Sequence, residues 1–213
     1  MRNYLFDFDG TLVDSMPTYV SSMLRILDEN NIEYSSDIVR IITPLGLGGT
    51  AEYYLTLGIK MSKEEMLQKM LEYMTEAYEN TIEAKSNVIE TVRLLHARGD
   101  RLHVLTASPH SSLDPCLKRL GIFDLFENVW SCEDFGTTKA DPEIYHMAAA
   151  KIGAAVDEIL FLDDNLNADT TAKSAGMKVC GVFDESSREY TEQIRAATDY
   201  YINDFSELPM IEF

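Results

Sequence analysis

Two aspartates separated by one residue, Asp7 and Asp9, interrupt an apolar run that begins at Tyr4. Alternate side chains of an extended backbone leave on the same side, so the two carboxylates point one way. Gly10 follows and permits a sharp turn that other residues resist. A second acidic group, Asp163-Asp164, ends the apolar run Ile159–Leu162, with Asp169 further on. Between these groups lie Thr106-Ala107-Ser108, which ends the apolar run Leu102–Thr106, and Lys139, just before Pro142. Two carboxylates about 5 Å apart repel by roughly 3 kcal/mol at an effective dielectric near 20. Four of them at one edge therefore call for a cation. Oxygen-only donors favour a hard ion, for which Mg²⁺ with several retained waters is the usual solution. Lys139 adds a point charge suited to a phosphate. Taken singly, each piece has an ordinary explanation. Asp and Gly build turns, Thr and Ser cap helices, and loop lysines are usually solvated. Together and in this order they read as nucleophile, second acid, hydroxyl, lysine and metal acids.

The elements that must position these groups follow from periodicity. The run at Tyr4 reads as a buried strand of a parallel sheet. From Pro17 to about Asn80 the pattern is helical, with no strand-like segment. Val20, Met23, Leu24 and Leu27 form one stripe, and Ser62-Lys63-Glu64-Glu65 is a capping box that opens another helix. The stretch Thr43–Thr50, rich in glycine, reads as a polar loop between helices. After Lys85 strand and helix alternate: helix 87–98, strand 102–106, helix 111–120, a short strand at Val129-Trp130, helix 142–152, strand 159–162, helix 168–175, strand 178–182 and an edge strand at Tyr200–Ile202. Alternation of this kind predicts an α/β fold with a parallel, Rossmann-like sheet. The expected division is a catalytic core of residues 1–15 and 85–213 and an inserted helical domain of residues 16–84. Ligands of such sheets bind at the carboxyl ends of the strands, where all the groups above lie.

Composition narrows the function. The 213 residues include 36 acidic and 18 basic side chains, a formal charge of −18. Nucleic acid is excluded as a partner, because phosphate backbones need a basic footprint. No segment is apolar for long enough to span a membrane, and the start does not resemble a signal peptide. Cys116, Cys132 and Cys180 lack metal or CxxC spacing and read as reduced packing thiols of a cytoplasmic protein. His96, His103, His110 and His146 show no ligand spacing either.

The motifs resemble those of the haloacid dehalogenase superfamily, in the branch of phosphoglycolate phosphatase-like and β-phosphoglucomutase-like enzymes with a helical cap. Asp7-Phe8-Asp9-Gly10-Thr11-Leu12-Val13-Asp14-Ser15 resembles the first motif and Leu105-Thr106-Ala107-Ser108 the second. Thr138-Lys139-Ala140-Asp141-Pro142-Glu143 resembles the third, and Leu162-Asp163-Asp164 through Asp169 the fourth. The resemblance implies Asp7 as the nucleophile that forms an aspartyl-phosphate. It implies Asp9 as general acid and then base. Thr106, Ala107, Ser108 and Lys139 would hold the substrate's phosphoryl oxygens. Asp7, the backbone carbonyl of Asp9, and Asp164 would ligate Mg²⁺, with Asp163 acting through water. Ala107, Ala140 and Asp163 depart from the commonest residues of these motifs, and Asp169 sits one position beyond its commonest spacing.

The reading is therefore a monomeric, Mg²⁺-dependent phosphatase of a small phosphomonoester, of the phosphoglycolate or sugar phosphate type. A phosphomutase is the nearest alternative, although Tyr19 stands where the mutase branch tends to carry His. A two-component receiver domain combines similar groups but lacks a helical insert after its first strand. A catalytically idle member of the family that binds phosphate is a further alternative. The loop Thr43–Thr50 offers no Lys or Arg, which disfavours a second phosphate on the substrate.

Overall fold

The computed structural model describes all 213 residues apart from the side chain of Pro44. The chain divides into two compact units, one of Met1–Asp14 with Glu83–Phe213 and one of Ser15–Ile82. The first is an α/β unit. Among the described residues its sheet has six strands, all parallel, in the order β3-β2-β1-β4-β5-β6. They are β1 (Asn3–Phe6), β2 (Arg101–Thr106), β3 (Asn128–Ser131), β4 (Ile159–Asp163), β5 (Lys178–Val182) and β6 (Tyr200–Ile202).

The strand order reverses between β1 and β4. β1 pairs with β2 on one side, Phe6 opposite Val104, and with β4 on the other, Phe6 opposite Leu162. A crevice at such a reversal is where sheets of this class take their ligands. These strands are buried on both faces, which is why they read as continuous apolar runs rather than alternating ones. Tyr4, Leu5 and Phe6 are fully buried, as are Ile159 to Leu162. On one face Leu5, Phe161, Ile144, Tyr145, Ala148 and Val179 share a core. Elsewhere in the same unit Phe6 stacks with Tyr4 and Phe205.

The second unit contains α1 (Met16–Glu29), α2 (Ile38–Ile42), α3 (Gly46–Thr56) and α4 (Lys63–Asn80). Met23, Ile26, Leu27, Ile42, Ala51, Tyr54, Met66 and Met70 form its core. The capping box that opens α4 is present: Ser62 Oγ accepts from the Glu65 amide at 3.1 Å, and Glu65 Oε2 accepts from the Ser62 amide at 2.8 Å. The stretch Thr43–Thr50 is not the loop that its glycines suggest. A 3₁₀ turn over Thr43–Leu45 runs into α3 through Gly46, whose φ of +63° redirects the chain. Burial of Thr50, Ala51 and Tyr54 outweighs the weak helix propensity of Gly48 and Gly49, about 1 kcal/mol each.

The first unit is completed by α5 (Val88–Ala97), α6 (His110–Arg119), α7 (Glu143–Ile152), α8 (Leu166–Ser174) and α9 (Thr191–Ala197). No helix of the described residues is long and apolar enough to cross a membrane.

Candidate active site

The loop after β1 carries the first two acids. The sheet's hydrogen bonding extends one residue past β1, because the Asp7 amide donates to Leu162 O at 2.8 Å. This fixes the Asp7 backbone next to the end of β4, and its side chain is buried. A tight turn follows, in which the amides of Leu12 and Val13 both donate to Phe8 O. Gly10 has a φ of +75°, and a Cβ there would lie 2.7 Å from both carboxylate oxygens of Asp164. Glycine is thus required twice over, for its backbone conformation and for the close approach of Asp164. Thr11 Oγ1 donates to Asp164 Oδ1 at 3.1 Å. Thr11 is a site residue that the spacing of the acids does not single out.

The end of β2 supplies the hydroxyls. Thr106 is buried, and its Oγ1 accepts from the Ser108 amide at 3.1 Å. Ser108 Oγ in turn donates to Asp9 Oδ2 at 2.5 Å. Asp9 and Ser108 are therefore held together, and Ala107 lies exposed at the tip of the turn between the hydroxyls. The carboxylate of Asp9 points to this serine. It does not join the cluster formed by the other acids.

Lys139 is brought to the same edge by the turn that precedes α7. Its Nζ donates to Asp7 Oδ1 at 2.5 Å and to Asp163 Oδ2 at 2.7 Å. Asp163 Oδ1 accepts from the Asn165 amide at 2.8 Å. Both oxygens of Asp163 are thus engaged in aiming the lysine and in shaping the turn into α8. The buried Tyr145 fixes the lysine's backbone, because its hydroxyl lies 3.1 Å from both Lys139 O and Ala168 O. Nothing in the sequence near Tyr145 marks it for this role, since it also fits the apolar face of α7.

Asp7, Asp163 and Asp164 place one carboxylate oxygen each within 4.8 Å of one another. Burial pushes Asp7 well above the ordinary carboxylate range, Lys139 opposes the rise, and Asp163, Asp164 and Asp9 add to it. Burial and the negative charges of Asp163 and Asp184 push Asp164 up to about 7. Burial alone would lower the Lys139 ammonium, but Asp163 and Asp7 more than reverse this, so the lysine stays charged. One ammonium is too little charge for these carboxylates. The donors are all oxygen, so the set fits a hard divalent cation.

Asp169, on α8, is fully buried, and neither of its carboxylate oxygens has a hydrogen-bond partner among the described residues. Burial, reinforced by Asp163 and Asp164, pushes it up to about 9. It is not one of the three converging groups.

The family model described as haloacid dehalogenase-like hydrolase matches residues 4–182 of this chain. A phosphoglycolate phosphatase of Haemophilus influenzae is 26% identical over 216 residues, covering 95% of this chain and 94% of that protein. The pyrophosphatase PpaX of Bacillus velezensis is 28% identical over 179 residues, covering 84% and 81% respectively. Among solved structures, the hydrolase YfnB of Bacillus subtilis superposes with a TM-score of 0.81 at 18% identity, covering 98% of this chain and 97% of that one. That crystal structure is bound to magnesium and reveals interdomain movement.

Proposed function

The chain belongs to the haloacid dehalogenase-like hydrolases, and from that premise we propose that it is a Mg²⁺-dependent phosphatase of a small phosphomonoester. The single observation that carries this reading is the convergence of Asp7, Lys139, Asp163 and Asp164 at the reversal between β1 and β4. Buried acids bridged by a charged lysine would offer oxygen donors to a cation and an ammonium to phosphoryl oxygens. The similarity to a phosphoglycolate phosphatase and to a pyrophosphatase supports phosphate-ester or anhydride cleavage as the reaction class. Phosphoglycolate and sugar phosphates are the substrates proposed.

In the first step a carboxylate oxygen of Asp7 attacks phosphorus, and the bond from phosphorus to the leaving oxygen breaks. Asp9 donates a proton to that oxygen, and the serine–aspartate contact at Ser108 holds the acid in place. The product is an aspartyl-phosphate on Asp7 and a free alcohol. Asp9, now a carboxylate, takes a proton from water, which attacks phosphorus and releases phosphate and Asp7. Lys139 offsets charge on the phosphoryl oxygens, and Thr106, with the backbone of the turn through Ala107 and Ser108, supports them. The divalent cation, when held by Asp7, Asp164 and the Asp9 carbonyl, neutralises charge that the phosphoryl group brings to the site. Most of the catalysis is positioning and charge stabilisation, as is general for phosphoryl transfer.

We assign Ser15–Ile82 as the cap that selects the leaving group, and we take the enzyme to be a cytoplasmic monomer. The test is phosphate release from a panel of phosphorylated metabolites with Mg²⁺ and with EDTA. Turnover should stop in EDTA and return with Mg²⁺. Undiminished turnover in EDTA would remove the metal from the reading.

A further inference from the structure

The loop that packs on Asp164 is held from outside the motifs by Lys85. The chain re-enters the first unit at Glu83. There Val13 and Ala84 form an antiparallel bridge, the Asp14 amide donates to Glu83 O, and the Lys85 amide donates to Leu12 O, each at 3.0 Å. The backbone of Lys85 is therefore fixed beside the loop that carries Asp7 and Asp9. Its side chain, only 17% exposed, places Nζ 2.5 Å from Gly10 O, 2.6 Å from Phe183 O and 2.8 Å from Asp184 Oδ2. An ammonium has three donors, and this one uses all three on acceptors that converge on a single point.

The topology gives this contact its meaning. Gly10 follows β1, Phe183 and Asp184 follow β5, and β4 with Asp164 beyond its end lies between them. Lys85 thus joins the two loops that flank Asp164. Gly10 is also the residue against which the Asp164 carboxylate packs, and its neighbour Thr11 donates to that carboxylate.

We propose that Lys85 is a positioning residue for the divalent cation. It anchors the Gly10 carbonyl so that the Gly10-Thr11 turn holds the Asp164 carboxylate in its binding orientation. The proposal rests on the reading of Asp164 as a metal-holding carboxylate. It is a claim about geometry, because a positive charge near a cation site would by itself weaken binding, and Asp184 largely offsets that charge. Groups that orient metal ligands in this way are typically worth about 10–100-fold in metal affinity.

The experiment is calorimetric titration of the purified, metal-free protein with Mg²⁺ alone, with melting curves to establish that each variant is folded. Lys85→Arg keeps the charge, but a planar guanidinium cannot direct its donors to three acceptors around one atom. The double variant Lys85→Met with Asp184→Asn removes one charge of each sign and leaves the local sum unchanged. Both should bind Mg²⁺ at least about tenfold more weakly than the native protein. Native affinity in a folded Lys85→Arg protein would overturn the proposal, whether or not the double variant folds. Absence of Mg²⁺ binding to the native protein would instead remove the metal reading, and the proposal with it.

Discussion

Replacing Lys139 with methionine removes the charge that bridges Asp7 and Asp163 while keeping most of the side chain's volume. The ammonium lies 2.5 Å from one carboxylate and 2.7 Å from the other, with 14% of its side chain exposed. At an effective dielectric near 20, each contact is a gross attraction of about 6 kcal/mol. Desolvation cancels much of this, and removing one partner from a buried ion pair costs about 3–5 kcal/mol. That is a large share of the roughly 5–15 kcal/mol that holds a typical domain together. The loss must also depend on pH. Burial, Asp163 and Asp164 already push Asp7 up, and Lys139 is the group that opposes them. An acid whose folded pKa exceeds its unfolded one holds its proton in the native state, so its burden on stability lifts as pH falls. Urea denaturation in EDTA should therefore show a deficit of about 3–5 kcal/mol for Lys139→Met near pH 8, shrinking to less than about 2 kcal/mol near pH 5. A deficit of equal size at both pH values, or one below about 1 kcal/mol near pH 8, would refute the charge argument.

Three further outcomes follow from the same electrostatics. Mg²⁺ affinity should fall by about tenfold per pH unit below the point near 7 to which Asp164 is pushed, because binding must displace its proton; calorimetry across that range checks it, and a flat affinity would contradict it. Asp169, pushed up to about 9, should make the metal-free protein less stable as pH rises from near 4 toward 9, and Asp169→Asn should flatten that decline in a denaturation series. Asp9→Asn should lower turnover by about 10²–10⁴-fold through lost proton transfer, and in steady-state assays with a very good leaving group its first step should be impaired less than with an alkyl phosphate.

The fold was legible where one physical signal dominated. Buried strands such as Ile159–Leu162 are short apolar runs ending in polar residues, and the capping box at Ser62 is read from four residues. That Asp7, Asp163 and Asp164 come together was legible because strand ends in a parallel sheet face one edge; that the carboxylates of Asp9 and Asp169 stay out of the cluster was not. Residues whose roles depend on which strands are neighbours were not. Thr11 and Lys85 matter because β4 lies between β1 and β5, and strand order is not encoded in any local pattern. Tyr145 is ambiguous for a different reason, since its ring packs against Phe161 while its hydroxyl lies against two carbonyls. Gly46–Gly49 misleads because propensity is weak beside the packing of Ala51 and Tyr54. Helix α9 is short, and the sequence reading leaves it unassigned.

With Asp7 as nucleophile, phosphate should pass through a covalent bond to its carboxylate. The most direct measurement is rapid acid quenching during turnover of a phosphomonoester, followed by mass spectrometry of the N-terminal peptide. The peptide that contains Asp7 should carry one phosphoryl group, lost on mild alkaline treatment and absent from Asp7→Asn. Steady release of phosphate with no phosphorylated Asp7, or with the phosphoryl group on another residue, would contradict it.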